Sequence, residues 1–257
     1  MILLARVQAY LRATARLHAE VIEIPGFSIF VSPADATPGE SFAMPDSPAA
    51  TTVGSLSELT STLLLRQRIP AVSAIEGYAP GLSDTLESAG YREYARKPIM
   101  VYESAPAQPL PRPARLGIQM LDATAPLVAI RENLAINIAG FESDESPPTD
   151  DDARAFARLL TRARAFTVSL RGKPVAAALM EAPVDGITEL VGVATLPAYR
   201  RQGIAAVLVA HMARQAHTLG VEVVFLRPIS EASARIYARA GFSPRGDVVT
   251  WVRETPA

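Results

Sequence analysis

The residue types best placed for chemistry stand in one run, Thr195-Leu196-Pro197-Ala198-Tyr199-Arg200-Arg201-Gln202-Gly203-Ile204-Ala205. After it, Ile204, Val207, Leu208, His211, Met212, Gln215 and Leu219 recur at i, i+3, i+4 spacing, the pattern of an amphipathic helix. A helix beginning at Gly203 leaves its first N–H groups unpartnered and its end partly positive. Phosphate oxygens suit such an end. Gly203 allows a close backbone approach, Ala205 keeps the next turn uncrowded, and Arg200 and Arg201 add charge at the opening. An ordinary strand-to-helix turn with exposed arginines would carry the same residues.

The elements around this run fall into two halves. Pro106, Pro109, Pro111 and Pro113 crowd a stretch that can continue neither a helix nor a central strand, which predicts a semi-rigid linker over residues 106–113. On either side the chain closes alike: Ala89-Gly90-Tyr91 before Val101 and Glu103, Ala240-Gly241-Phe242 before Val252 and Glu254. The two sets lie 151 positions apart without a gap, which predicts two related domains, residues 1–105 and 114–257.

In the first half the patterning predicts a helix from about Leu3 to His18 and strands Val21–Ile24 and Phe27–Val31, turned at Gly26. A loop is expected from Ser32 to Thr52. Next come a helix Leu56–Arg66, a strand Ala71–Ile75, a helix Leu82–Ser88 and a strand Pro98–Glu103. The second half reads as a strand Leu116–Met120, helices Pro126–Ile138 and Asp151–Arg164, and strands Phe166–Leu170, Pro174–Met180 and Thr188–Thr195. A helix Gly203–Leu219, a strand Val221–Leu226, a helix Ser230–Ala240 and a strand Val248–Val252 complete it. That order is mixed α/β, with strands meeting before helices alternate.

Composition removes several classes. The 257 residues contain no cysteine, so there is no disulfide, cysteine-ligated zinc or cysteine nucleophile. His18, His211 and His217 form no metal-binding spacing, and no metal is expected. A formal net charge of −1 gives no support to a nucleic-acid partner. Neither a secretory leader nor an apolar run of about 18 residues stands out, so no membrane partner and a cytoplasmic protein are expected.

Arg200-x-x-Gly203-x-Ala205 resembles the Q/R-x-x-G-x-G/A motif of the GNAT superfamily of N-acetyltransferases. The resemblance runs over roughly residues 115–254 and also rests on Thr195–Pro197, Val221–Leu226, Ile236-Tyr237 and Gly241-Phe242. It implies two GNAT-like domains, each a mixed, mostly antiparallel sheet flanked by helices. It also implies acetyl-CoA as acyl donor, with Arg200, Arg201, Gln202, Gly203, Ile204 and Ala205 at its pyrophosphate. The strand through Val193 and Thr195 would run beside the pantetheine arm, and Val193 N–H would face the developing oxyanion.

Tyr237 holds the position of the family's general acid, although its helical face also suits packing. Ser230 stands where relatives often have asparagine; it can meet the ligand or cap a helix. Glu189 is the candidate base, with a solvated or salt-bridged carboxylate as the alternative. Arg227 can meet a substrate carboxylate or a CoA phosphate, or stand at the surface. The acids Glu142, Asp144, Glu145, Asp150, Asp151 and Asp152 can rim a cationic acceptor's path, or open a helix at Thr149 or Asp150.

At the 151-residue offset, the motif falls on Ala49–Gly54 and Tyr237 on Leu86, which implies a degenerate first domain. The expected activity is direct acetyl transfer to a small-molecule or peptide amine, with a homodimer as one assembly open to the chain. A larger acyl group or a specialised tandem-GNAT task, such as synthesis of a small thiol, is a second enzymatic reading. A non-catalytic acyl-CoA sensor or interaction module is the alternative from another class.

Overall fold

The structure is a computed structural model that describes residues 2–33, 39–48, 53–103 and 109–253. Residues 104–108 at the start of the Pro-rich linker, and residues 49–52 opposite the motif, lie outside the described residues. The chain forms two compact units, Met1–Ile99 with Arg245–Ala257, and Met100–Pro244.

The first unit runs α1 (Ile2–Ala15), β1 (Glu20–Ile24), β2 (Phe27–Val31), β3 (Phe42–Pro45), α2 (Val53–Leu65), β4 (Ala71–Ile75) and α3 (Leu82–Ser88), then most of β5 (Arg92–Tyr102). Its sheet has the order β1-β2-β3-β4-β11, where β11 is Phe242–Val252. Gly26, at φ +85°, closes the two-residue turn between β1 and β2. Phe27, Ile29, Leu56, Leu59, Leu63, Leu86 and Trp251 form the core. The buried hydroxyls of Thr60 and Tyr91 satisfy one another at 2.8 Å. Strand β3 corrects the expectation of an uninterrupted loop from Ser32 to Thr52. Four residues are too few for a visible period, yet Ala43 and Met44 are buried and Phe42 packs its ring on Phe30.

The second unit contains β6 (Leu116–Leu121), α4 (Leu127–Gly140), α5 (Asp150–Leu159), β7 (Arg164–Leu170), β8 (Lys173–Met180), β9 (Ile187–Thr195), α6 (Ile204–Thr218), β10 (Val223–Leu226) and α7 (Glu231–Arg239). Its strands follow the order β5-β10-β9-β8-β7-β6, with β9 and β10 parallel. Alternation along β7 and β8 sorts the two layers. Ala165 and Leu179 pack with Ile130 and Ala153 of α4 and α5. Phe166, Val168, Ala176 and Ala178 pack with α6 and α7 on the opposite face. No helix among the described residues is long and apolar enough to cross a membrane.

Two relations connect this architecture to the sequence repeat. The series α1-β1-β2-β3-α2-β4-α3-β5 recurs as α5-β7-β8-β9-α6-β10-α7-β11, and α2 and α6 begin 151 residues apart. The closing strands, however, are exchanged. The end of β5 pairs with β10 in the second unit, Val101 opposite Phe225. Strand β11 pairs with β4 in the first, Val248 opposite Ile75 through Val252 opposite Ala71. The compact units thus differ from a division into residues 1–105 and 114–257, because hydropathy patterning reveals strands but not their partners.

Candidate active site

Strand β9 carries the first part of the site, and its regularity breaks in the middle. Ala177 lies opposite Ala194 and Leu179 opposite Val191, so Ala178 alone faces both Gly192 and Val193. That two-against-one register is a β-bulge, and Gly192 supplies it with φ +60°. The carbonyl of Gly192 accepts a hydrogen bond of 2.6 Å from Asn137 Nδ2 on α4.

Past Thr195 the chain makes a short 3-10 turn, Pro197–Tyr199, and reaches the start of α6. Arg201 has φ +63° and Gly203 φ +79°, so the loop folds back on itself just before the helix. Gly203 is the N-cap of α6, and no side chain caps that end. A Cβ on Gly203 would lie 2.9 Å from the Pro111 carbonyl oxygen, which fixes glycine there on two counts. Of the expected loop residues, Arg201 and Gln202 are exposed, Gly203 and Ala205 half-buried and Ile204 buried.

Arg200, expected at the pyrophosphate, makes three hydrogen bonds within the domain. Its Nε donates to Thr195 O at 3.1 Å, Nη2 to Gly140 O at 2.9 Å and Nη1 to Glu142 Oε2 at 3.0 Å. The guanidinium thereby ties the end of β9 to the end of α4. At the same junction a Cβ on Gly140 would lie 2.8 Å from Ala194 Cβ, so helix and strand meet at a position only glycine allows.

Tyr237 projects from α7 into the core shared with α6, beside Phe242 at 6.5 Å between ring centres. It is 9% exposed, and burial pushes its phenol up to about 12. Val193 packs against the same cluster, so the structure brings these two expected site residues to one core. Ser230 caps α7: its hydroxyl accepts from Ser233 N at 3.2 Å, and the Ser233 side chain reaches back to Ser230 N.

Glu189 lies on β9 beside Phe225 of β10 and is 6% exposed. Arg227, just past β10, donates Nε to Glu189 Oε1 at 2.7 Å and Nη2 to Oε2 at 3.1 Å. Both were expected near the site, but their bidentate pairing was only the alternative for Glu189. The acidic run is largely occupied as well. Thr149 caps α5 reciprocally with Asp152, Asp150 accepts from Arg131, Asp151 from Arg154, and Glu142 from Arg200. Among the described residues no group of three His, Cys, Asp or Glu is placed to hold a metal ion.

Sequence reasoning missed Asn137 and Gly192. A glycine inside the strand Ile187–Thr195 signals a bulge, and two asparagines four apart on the helix face that carries Ile130 and Gly140 signal a polar anchor.

Residues 131–242, which hold the bulged strand, the loop and α6, match the acetyltransferase (GNAT) family. This region is a GNAT-family domain. No curated protein matches the chain. Among solved structures, a GCN5-related N-acetyltransferase from Kribbella flavida is 23% identical, with a TM-score of 0.76 over 98% of this chain and 96% of that one. A tandem GNAT protein from the clavulanic acid biosynthesis pathway has a TM-score of 0.61 at 12% identity, covering 90% of this chain and 79% of its own. An acetyltransferase from Colwellia psychrerythraea has a TM-score of 0.62 at 12% identity, covering 91% and 84%. These likenesses establish the GNAT fold across nearly the whole chain, whereas the family match covers the domain carrying Arg200–Ala205.

Proposed function

We propose that the GNAT domain moves an acetyl group from acetyl-CoA directly to an amine of a small molecule or peptide. The observation that carries this reading is the uncapped start of α6 at Gly203, reached from a strand bulged at Gly192 and Val193. The open N–H groups of α6 suit the pyrophosphate, and Arg201 and Gln202 flank them in solvent. Thr195 borders the path of the pantetheine arm. Ser230 contributes by fixing the start of α7 and hence the height of Tyr237.

In the reaction the amine nitrogen attacks the thioester carbonyl carbon, the C–S bond breaks, and the acceptor nitrogen loses a proton. Val193 N–H supports the oxygen as it gains charge. The Tyr237 hydroxyl faces the departing sulfur. With a phenol at about 12 against a thiol near 8.5, it stabilises the thiolate chiefly by hydrogen bonding and remains protonated throughout the neutral range. Glu189, held by Arg227, accepts the acceptor's proton through a water. The first unit we read as a GNAT-like fold without the cofactor loop or the acid, since Ala49 and Thr52 stand at the places of Arg200 and Gly203, and Leu86 at that of Tyr237.

The test measures binding first and turnover second. At 100 times its Kd, acetyl-CoA stabilises a binding protein by about 2.7 kcal/mol and raises Tm by several degrees. Free thiol is then followed across an amine panel, and every thiol detected derives from CoA because the chain has no cysteine. Absence of any shift with acetyl-CoA, CoA or longer acyl-CoAs refutes the reading. A shift without thiol release selects an acyl-CoA sensor, which the closed Glu189–Arg227 pair favours.

A further inference from the structure

We infer that Asn137 is a positioning residue that aims the Val193 N–H at the reacting carbonyl. This rests on the acetyl-transfer reading but adds a residue from another element. The carbonyl of Gly192 and the N–H of Val193 belong to one peptide group. That group is planar and trans, so the two bonds point in opposite directions. Asn137 Nδ2 holds the Gly192 oxygen at 2.6 Å from the α4 side. The Val193 N–H is therefore turned away from α4, toward the face where α6 and Tyr237 pack.

The fit is specific to both partners. A Cβ at position 192 would lie 3.0 Å from Asn137 Nδ2, so a side chain there would push the amide away. Glycine at φ +60° is also the residue most free to rotate this peptide, and the asparagine removes that freedom. Helix α4 is itself locked in register. One turn earlier, buried Asn133 donates to Phe166 O at 2.9 Å and to Thr167 Oγ1 at 2.8 Å. One turn later, Gly140 sits hard against Ala194. Three successive positions on one helical face thus fix Asn137 over the bulge.

Asn137→Asp keeps the shape, removes the donor and faces a carboxylate to the carbonyl. Asn137→Ser provides a second, uncharged variant should the first fail to fold. Each is compared with the full wild-type chain by calorimetric Kd for acetyl-CoA, by thiol release with the best amine of the panel, and by infrared spectroscopy of bound, carbonyl-labelled acetyl-CoA. In wild type the thioester stretch falls to lower frequency on binding, because an aimed donor polarises it. In both variants most of that fall is lost, kcat drops by about 100-fold, as for loss of one oxyanion donor, and Kd changes by less than about threefold. An unchanged stretch and kcat in a folded variant overturn the inference. So does a lower Tm accompanied by equal losses in binding and turnover, the signature of a plain anchor, or a wild-type stretch that does not move. Failure of wild type to bind acetyl-CoA instead overturns the proposed function.

Discussion

Two helices at matching places in this molecule are led in by different sequences. α6 follows a nine-residue strand with a bulge, passes Arg201 and Gly203 in left-handed conformations, and starts without a side-chain cap. α2 stands at the matching place 151 residues earlier, after a four-residue strand, and the sequence before it has Ala49 in place of Arg200 and Thr52 in place of Gly203. Strand pairing is shared: β3 runs parallel to β4 as β9 runs parallel to β10. The scaffold therefore repeats, while the Arg200–Gly203 spacing and Tyr237 have no counterpart at the 151-residue offset in the sequence. Fold and site are separable properties of one sequence pattern.

Four experiments can break or sharpen that contrast. Gly203→Val carries the largest effect, since its side chain meets Pro111 O at a positive φ. Loss of acetyl-CoA binding by about 100-fold or more is expected by calorimetry, together with a stability loss of about 1–3 kcal/mol. Gly54→Val on the exposed side of α2 should leave acetyl-CoA affinity unchanged. If both variants bind alike, the two helix starts are not functionally distinct.

Tyr237→Phe is next. Turnover should fall by about 100-fold with acetyl-CoA affinity retained, as for loss of a general acid or donor. Its counterpart Leu86→Ala should behave oppositely, costing about 2–5 kcal/mol of stability as a core truncation and leaving the affinity of the intact folded chain alone.

The alkaline limb of stability distinguishes the two positions further. Burial raises the Tyr237 phenol to about 12 from an ordinary value of 10, so its neutral form favours the folded state. That contribution is complete below pH 10 and disappears as pH rises through 12, worth roughly 2–3 kcal/mol. Denaturant titrations from pH 9 to 12 should show a steeper decline in wild type than in Tyr237→Phe. Leu86 offers no such group. On the acid side, burial lowers the His211 pKa, so its stabilisation is present above pH 6.5 and is lost as pH falls through the folded-state value.

The smallest effect concerns Arg200. Its ion pair with Glu142 is exposed, so Glu142→Gln should change stability by less than about 1 kcal/mol. Arg200→Ala also removes the bonds to Thr195 and Gly140 and should weaken acetyl-CoA binding several-fold. A larger loss that is steeply salt-dependent would instead favour direct phosphate contact.

Much of this was legible in the residues. Helix periodicity and glycine placement, both local signals, gave the start of α6 at Gly203, whereas α2 begins at Val53, three residues before the expected Leu56. The bulge was encoded in Gly192, but its latch was not. Asn137 and Gly192 are 55 residues apart, and a helical asparagine is compatible with many environments. Glu189 and Arg227 were both singled out for chemistry, yet only strand register brings them together. The exchange of β5 and β11 was hidden for the same reason. Each strand has suitable alternation, and alternation carries no address.

That exchange has a consequence for how the molecule comes into being. Ser73 and Thr250, neighbours in the finished sheet, are 177 residues apart in the chain. A ribosome releasing the N-terminal half delivers a sheet with an open edge at β4 and must synthesise almost everything else before β11 arrives to close it. The first unit, although it comes first in sequence, is therefore completed last. A cut in the Pro-rich segment would not yield two self-sufficient proteins; each fragment would lack the strand that seals it and would carry the strand that seals the other.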